Sequence, residues 1–128
     1  MTYQPSGPVV AVVDDDQSIL RSLTSLLDSA DYAVRVFTSA TALLYSGCLP
    51  EIDCLISDID IPGMDGFELL RLVHAVRPGL PAILITGYPD TLKRLPLSDG
   101  SNPRYFTKPF QGQELLTAVS DALRKSPG

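Results

Sequence analysis

The chain has 128 residues, 45% of them hydrophobic and 20% charged, which fits one globular domain and excludes both a disordered tail and a two-domain enzyme. A formal net charge of −5 repels nucleic acid, and Lys93-Arg94 and Arg124-Lys125 are too short and too far apart to form a basic stripe. No apolar run approaches the length of a membrane span and no basic segment opens a signal peptide, so a cytoplasmic protein with no membrane or direct nucleic-acid partner is expected.

Residues 1–7 read as a flexible lead-in, residues 8–125 as the folded domain and residues 126–128 as a tail. Val9-Val10-Ala11-Val12-Val13 is a short apolar run rich in β-branched residues, the pattern of a strand buried on both faces of a parallel sheet. Asp16 caps a helix whose Leu20, Leu23, Leu27 and Ala30 recur at helical spacing, with Ile19 and Leu26 widening the stripe. Ala33 to Phe37 is a second strand, and Ser39 opens a short helix that ends near Gly47. Cys54-Leu55-Ile56-Ser57 is a third strand; Cys54 and Cys48 fit no common zinc or redox spacing, and Cys54 reads as a buried small hydrophobe. Asp65 caps a helix carrying Leu69, Leu70, Leu72, Val73 and Val76, stopped by Pro78-Gly79. Ala82 to Ile85 and Tyr105 to Thr107 are the fourth and fifth strands, and Leu115, Leu116, Val119, Ala122 and Leu123 mark the last helix.

Strands alternating with helices give an α/β fold with a parallel sheet and right-handed crossovers. The crossover between strands four and five breaks the pattern. Pro96 costs about 3 kcal/mol in a helix interior, and Ser98 to Pro103 is turn chemistry. This fourth crossover helix is expected to be shortened or irregular, with one or two turns around Asp90 to Leu95.

In a doubly wound sheet, ligands sit beyond the carboxyl ends of the strands. The chain puts Asp14 and Asp15 after strand one, Asp58 after strand three, Thr86-Gly87 at the end of strand four and Lys108-Pro109 after strand five. Three carboxylates in one place repel unless a cation joins them. Oxygen ligands that leave room for water and phosphate suit Mg²⁺, which can also neutralise a phosphoryl group in transfer. Lys108 adds a second positive charge and Thr86 a hydroxyl for a phosphoryl oxygen.

Val13-Asp14-Asp15, Ser57-Asp58 leading into Pro62-Gly63-Met64-Asp65-Gly66, Thr86-Gly87 and Lys108-Pro109-Phe110 together resemble the signature set of the response-regulator receiver family, over roughly residues 8 to 125. Phe37-Thr38-Ser39-Ala40 and Ile85-Thr86-Gly87 are most similar to receivers of the nitrogen-fixation regulator type. The resemblance implies a flavodoxin-like, doubly wound five-stranded parallel sheet in the order 2-1-3-4-5 with helices on both faces. It implies Asp58 as phosphoacceptor, with Mg²⁺ held by Asp15, Asp58 and the backbone carbonyl of Asp60, and by Asp14 mainly through water. Thr86 would move toward the phosphoryl group on activation, Tyr105 would swing inward with it, and Gly87 would leave the phosphoryl group room to approach. The donor would be a phosphohistidine on a sensor histidine kinase or phosphotransfer protein, and the receiver would catalyse its own phosphorylation and dephosphorylation. Its target would be a downstream protein or output domain, and in this family the face made by the fourth helix, the fifth strand and the fifth helix commonly contacts partners or forms a homodimer. Asp60 and Tyr88 would line the path of attacking water, where an acid and a bulky aromatic alter the lifetime of the phosphoryl group.

Other readings compete at several positions. An acidic pair is often only a solvated helix start, and a lone lysine is commonly a surface residue; their joint placement favours the functional reading. Tyr105 is as readily a core aromatic, His74 a helix-surface or edge residue, and Met64 packing at a turn. Asp58-Ile59-Asp60 also resembles the first motif of haloacid-dehalogenase-type phosphatases, but Ile61-Pro62 stands where that family usually has Gly-Thr, and no later acidic pair follows Lys108. An interaction domain that has lost phosphorylation would not need Asp14, Asp15, Asp58, Thr86 and Lys108 together.

Overall fold

The computed structural model describes residues 7–88, 90 and 104–125. The segment Val9–Val13, rich in β-branched residues, forms β1, and the later strands are β2 (Ala33–Phe37), β3 (Cys54–Asp58), β4 (Ala82–Thr86) and β5 (Arg104–Thr107). All four pairings are parallel and the sheet order is β2-β1-β3-β4-β5. The three inner strands are buried almost throughout, whereas β2 and β5 keep the mixed burial of edges.

Four helices among the described residues cover both faces: α1 (Gln17–Ser29), α2 (Ala40–Tyr45), α3 (Gly66–Val76) and α4 (Gly112–Lys125). Three begin as the sequence reading expects. Asp16 accepts from the Ser18 amide, Ser39 from the Ala42 amide and Asp65 from the Glu68 amide, each satisfying a donor that the first helical turn leaves unpaired. Because successive strand residues point to opposite faces, the core divides in two. Ala11, Val13, Leu55 and Leu84 meet α2 and α3 through Leu43, Leu69 and Val73. Val10, Val12, Ile56 and Ile83 meet α1 and α4 through Leu23, Leu27, Leu115 and Val119. Leu27, Leu43, Leu69 and Leu115 are fully buried, and each stabilises the fold by about 1.5–3 kcal/mol relative to an exposed position.

Cys54 belongs to this interior, and burial pushes its thiol up to about 12, so it packs as an inert hydrophobe. Met64 packs against the core beside the turn, and His74 is half-buried on α3 with Nε2 2.9 Å from the Leu80 carbonyl. The expected irregular crossover between β4 and β5 falls on residues that, Asp90 apart, lie outside the described ones.

Candidate functional site

Each strand of the inner sheet ends in a residue that can do chemistry, and the parallel register brings these ends to one rim. β1 and β3 are neighbours, paired from Val10 opposite Cys54 to Val13 opposite Ser57, so Asp14 and Asp58 emerge side by side. β4 lies beyond β3 with Ile85 opposite Asp58, and Thr86 faces Thr107 of β5, one residue before Lys108. Asp14 is 2% exposed and Asp58 6%, while Asp15 is exposed. One carboxylate oxygen from each of Asp14, Asp15 and Asp58 lies within 4.8 Å of the other two.

The Lys108 ammonium stands 3.0 Å from Asp58 Oδ2 and 3.4 Å from Asp14 Oδ2. Partial burial alone would lower its pKa, but the hydrogen bond to Asp58 and the charges of Asp14 and Asp58 outweigh that and raise it. Lys108 therefore stays charged at any physiological pH. Its main chain is anchored too, since its amide donates to the Thr86 carbonyl at 2.8 Å. Asp14 is pulled both ways. Burial raises its pKa, the bond from the Asp16 amide (2.9 Å) lowers it, Asp58 raises it and Lys108 lowers it, and the net result is a rise. One ammonium does not neutralise the three carboxylates.

Asp58 is oriented by two contacts: the Asp60 amide donates to Oδ1 at 2.9 Å, and Lys108 holds Oδ2. The turn after β3 fits only because position 66 is glycine. A Cβ there would lie 2.8 Å from the Asp58 carbonyl oxygen and 2.8 Å from Ile59 Cα, and the Gly66 amide donates to the Ile59 carbonyl at 2.9 Å. Gly87, by contrast, is exposed with nothing near an added Cβ, leaving open space beside Thr86. A cavity of about 650 Å³, lined in part by Ile19, Leu23, Gly87, Lys108 and Phe110, opens on the α1 side of the rim.

The structure thus brings Asp14, Asp15, Asp58 and Lys108 into one cluster, with Thr86 at the adjoining strand end. Tyr105 is half-buried against the core on the α2/α3 face. One contact escapes sequence reading. The Thr86 hydroxyl donates to the side chain of Asp60, a residue the motif reading used only through its backbone carbonyl and as a neighbour of attacking water. An aspartate two positions after Asp58 carries no signal that it reaches across to β4.

Residues 10–120 match the family model described as the response regulator receiver domain. The chain belongs to the response regulator receiver family. The receiver is 34% identical over 119 residues to the response regulator protein TmoT of Ectopseudomonas mendocina, covering 93% of this chain and 54% of that protein. It is 33% identical over 119 residues to the transcriptional regulatory protein FixJ of Bradyrhizobium diazoefficiens, covering 91% of this chain and 57% of that one. The chain spans about half the length of these curated relatives. Among solved structures it resembles the signal receiver domain of an HD domain-containing protein from Pseudomonas fluorescens Pf-5, with 36% identity, a TM-score of 0.85, and coverage of 94% of this chain and 97% of that one. The expected sheet order and the receiver assignment both hold, and the receiver is a signalling switch of two-component systems. Receiver domains bind Mg²⁺ at an acidic pocket, and the Asp14–Asp15–Asp58 cluster is such a pocket.

Proposed function

We propose that this receiver accepts a phosphoryl group on Asp58 in a reaction that requires Mg²⁺. The observation that carries the reading is the position of the Asp58 carboxylate, held between the Lys108 ammonium and the acidic cluster. The donor set suits the ion: all its side-chain ligands are oxygens, the cluster keeps excess negative charge beside one ammonium, and exposed Asp15 leaves a side open for water and phosphate. Asp15, Asp58 and the Asp60 carbonyl would hold it directly and Asp14 mainly through water. When bound it supplies positive charge against the phosphoryl oxygens.

The remaining chemistry belongs to the chain. A carboxylate oxygen of Asp58 attacks phosphorus and forms an acyl phosphate. The bond from phosphorus to the donor nitrogen breaks, and its electron pair leaves with the imidazole of a sensor kinase or phosphotransfer protein. Lys108 pairs with the incoming negative charge, and the Asp60 amide holds the carboxylate in line. Thr86 then hydrogen-bonds a phosphoryl oxygen and Tyr105 follows it inward, changing the surface read by a downstream protein or output domain. Loss of the phosphoryl group by hydrolysis in the same site resets the receiver.

Intact-mass measurement after incubation with acetyl phosphate and Mg²⁺ tests this reading. One phosphoryl adduct is expected, absent in excess chelator and absent in Asp58→Asn; an adduct that survives either change overturns it. Thr86→Ala, which touches none of the three clustered carboxylates, is expected to leave Mg²⁺ affinity within about twofold, as for a group outside the ligand set. The same substitution should weaken the response of β4 and β5 amides to beryllofluoride, read by NMR. Unchanged shifts across both strands would contradict the switch role.

A further inference from the structure

The Thr86 hydroxyl has one proton to give, and in this structure it goes to a carboxylate. Thr86 is fully buried at the end of β4, and its Oγ1 donates to Asp60 Oδ2, a residue 26 positions earlier in the chain. The Tyr88 amide donates to the same Oγ1 from 3.0 Å, so the hydroxyl is satisfied both as donor and as acceptor. The neutral Tyr88 carbonyl, 3.2 Å away, is the weaker competitor for the proton. Asp60 is also tied to the other half of the site, because its amide donates to Asp58 Oδ1 at 2.9 Å. One residue therefore touches both the carboxylate that receives the phosphoryl group and the threonine that responds to it.

We propose that the Asp60 carboxylate is a latch that holds Thr86 in the resting state and competes with the phosphoryl oxygens for its proton. The inference rests on the reading of Asp58 as acceptor and adds a positioning residue that acts through Thr86. A hydroxyl donates to one acceptor at a time, so Thr86 reaches the phosphoryl group only by leaving Asp60. Both acceptors are anionic, so the exchange yields less than it would from a neutral resting partner. Phosphorylation also adds negative charge beside Asp60, and like charges repel, so one event offers the new acceptor and weakens the old. The latch is thus set against spontaneous activation and released by the modification itself.

The test is a double-mutant cycle on the whole chain, with beryllofluoride and Mg²⁺ as the probe and its apparent affinity as the readout. Asp60→Asn keeps the shape and removes the charged acceptor, and Asp60→Ser removes it with a shorter side chain should the amide perturb folding. Either substitution is expected to tighten apparent beryllofluoride affinity about tenfold, the low end of what a hydrogen bond to a charged group contributes, since a neutral oxygen still accepts in the variant. In a Thr86→Ala background that gain should vanish, because no hydroxyl remains to be released. In the unliganded Asp60→Asn protein, the Thr86 methyl resonance should also move toward its beryllofluoride-bound position. An equal gain in both backgrounds would show a simple loss of negative charge from the rim and overturn the latch, as would no gain at all. If the parent protein shows no beryllofluoride response, the Asp58 reading fails and the latch with it; a parental response that Asp60 does not modulate removes the latch alone.

Discussion

Gly66→Ala is expected to destabilise the receiver by about 2–3 kcal/mol, the upper range for forcing one extra methyl into a packed site, and to slow phosphorylation at the same time. The new Cβ would stand 2.8 Å from the Asp58 carbonyl oxygen and 2.8 Å from Ile59 Cα. Both neighbours are main-chain atoms, so no side chain can rotate away. Relief requires either that α3 lift off, losing the Gly66 to Ile59 hydrogen bond, or that the end of β3 shift, which moves Asp58 away from Lys108. Gly63→Ala is the control. Gly63 has a positive φ of 83° but no atom within 4 Å of an added Cβ, so its cost is local backbone strain of about 1 kcal/mol. Urea unfolding and acetyl phosphate kinetics on both variants decide the matter. A Gly66→Ala protein with parental midpoint and parental rate would refute the account of the turn.

Asp14→Asn should act in the opposite direction on stability. Burial raises the folded-state pKa of Asp14 above its ordinary value of 3.8, with Asp58 adding to the effect. Between the unfolded and folded pKa values the native state therefore holds more protons than the unfolded state. Stability then falls as pH rises through that window, and the loss persists above it. In the absence of divalent cation, the neutral amide is expected to stabilise the protein at pH 7. The advantage should disappear below pH 3.8, where both forms of Asp14 are protonated. Mg²⁺ affinity should fall about 10–100-fold, as when a supporting group at a metal site is removed. Thermal melts across pH with and without Mg²⁺ check both arms. A variant less stable than the parent at pH 7 without metal would show that Asp14 is not held at a cost.

The elements were legible for simple reasons. Strands buried on both faces carry short, largely apolar runs, and Asp16, Ser39 and Asp65 cap their helices by accepting a first-turn amide. The cluster of Asp14, Asp15, Asp58 and Lys108 was legible because a parallel sheet sends every strand end to the same rim, so a list of strand-end residues is already a list of neighbours. Side-chain reach is different. That Asp60 bends toward Thr86, and that Gly66 lies against the Asp58 main chain, follow from the path of the turn after β3. Residue spacing along a chain says nothing of that path. The motif marks Gly66 without stating the close approach that demands it.

The contacts of Lys108 have a consequence for when the receiver becomes competent. Its two ion-pair partners lie 94 and 50 residues earlier in the chain. Contacts of such separation close late, because the loop entropy they cost must be met by structure already formed. A chain emerging in order carries its buried acids well before their cation. Until β5 docks beside β4, the carboxylates of β1 and β3 have no ammonium beside them, and repulsion favours leaving them in water. Phosphate uptake would then serve as a certificate of completed folding: a receiver that can be phosphorylated has already placed all of its inner strands and the last edge strand in register.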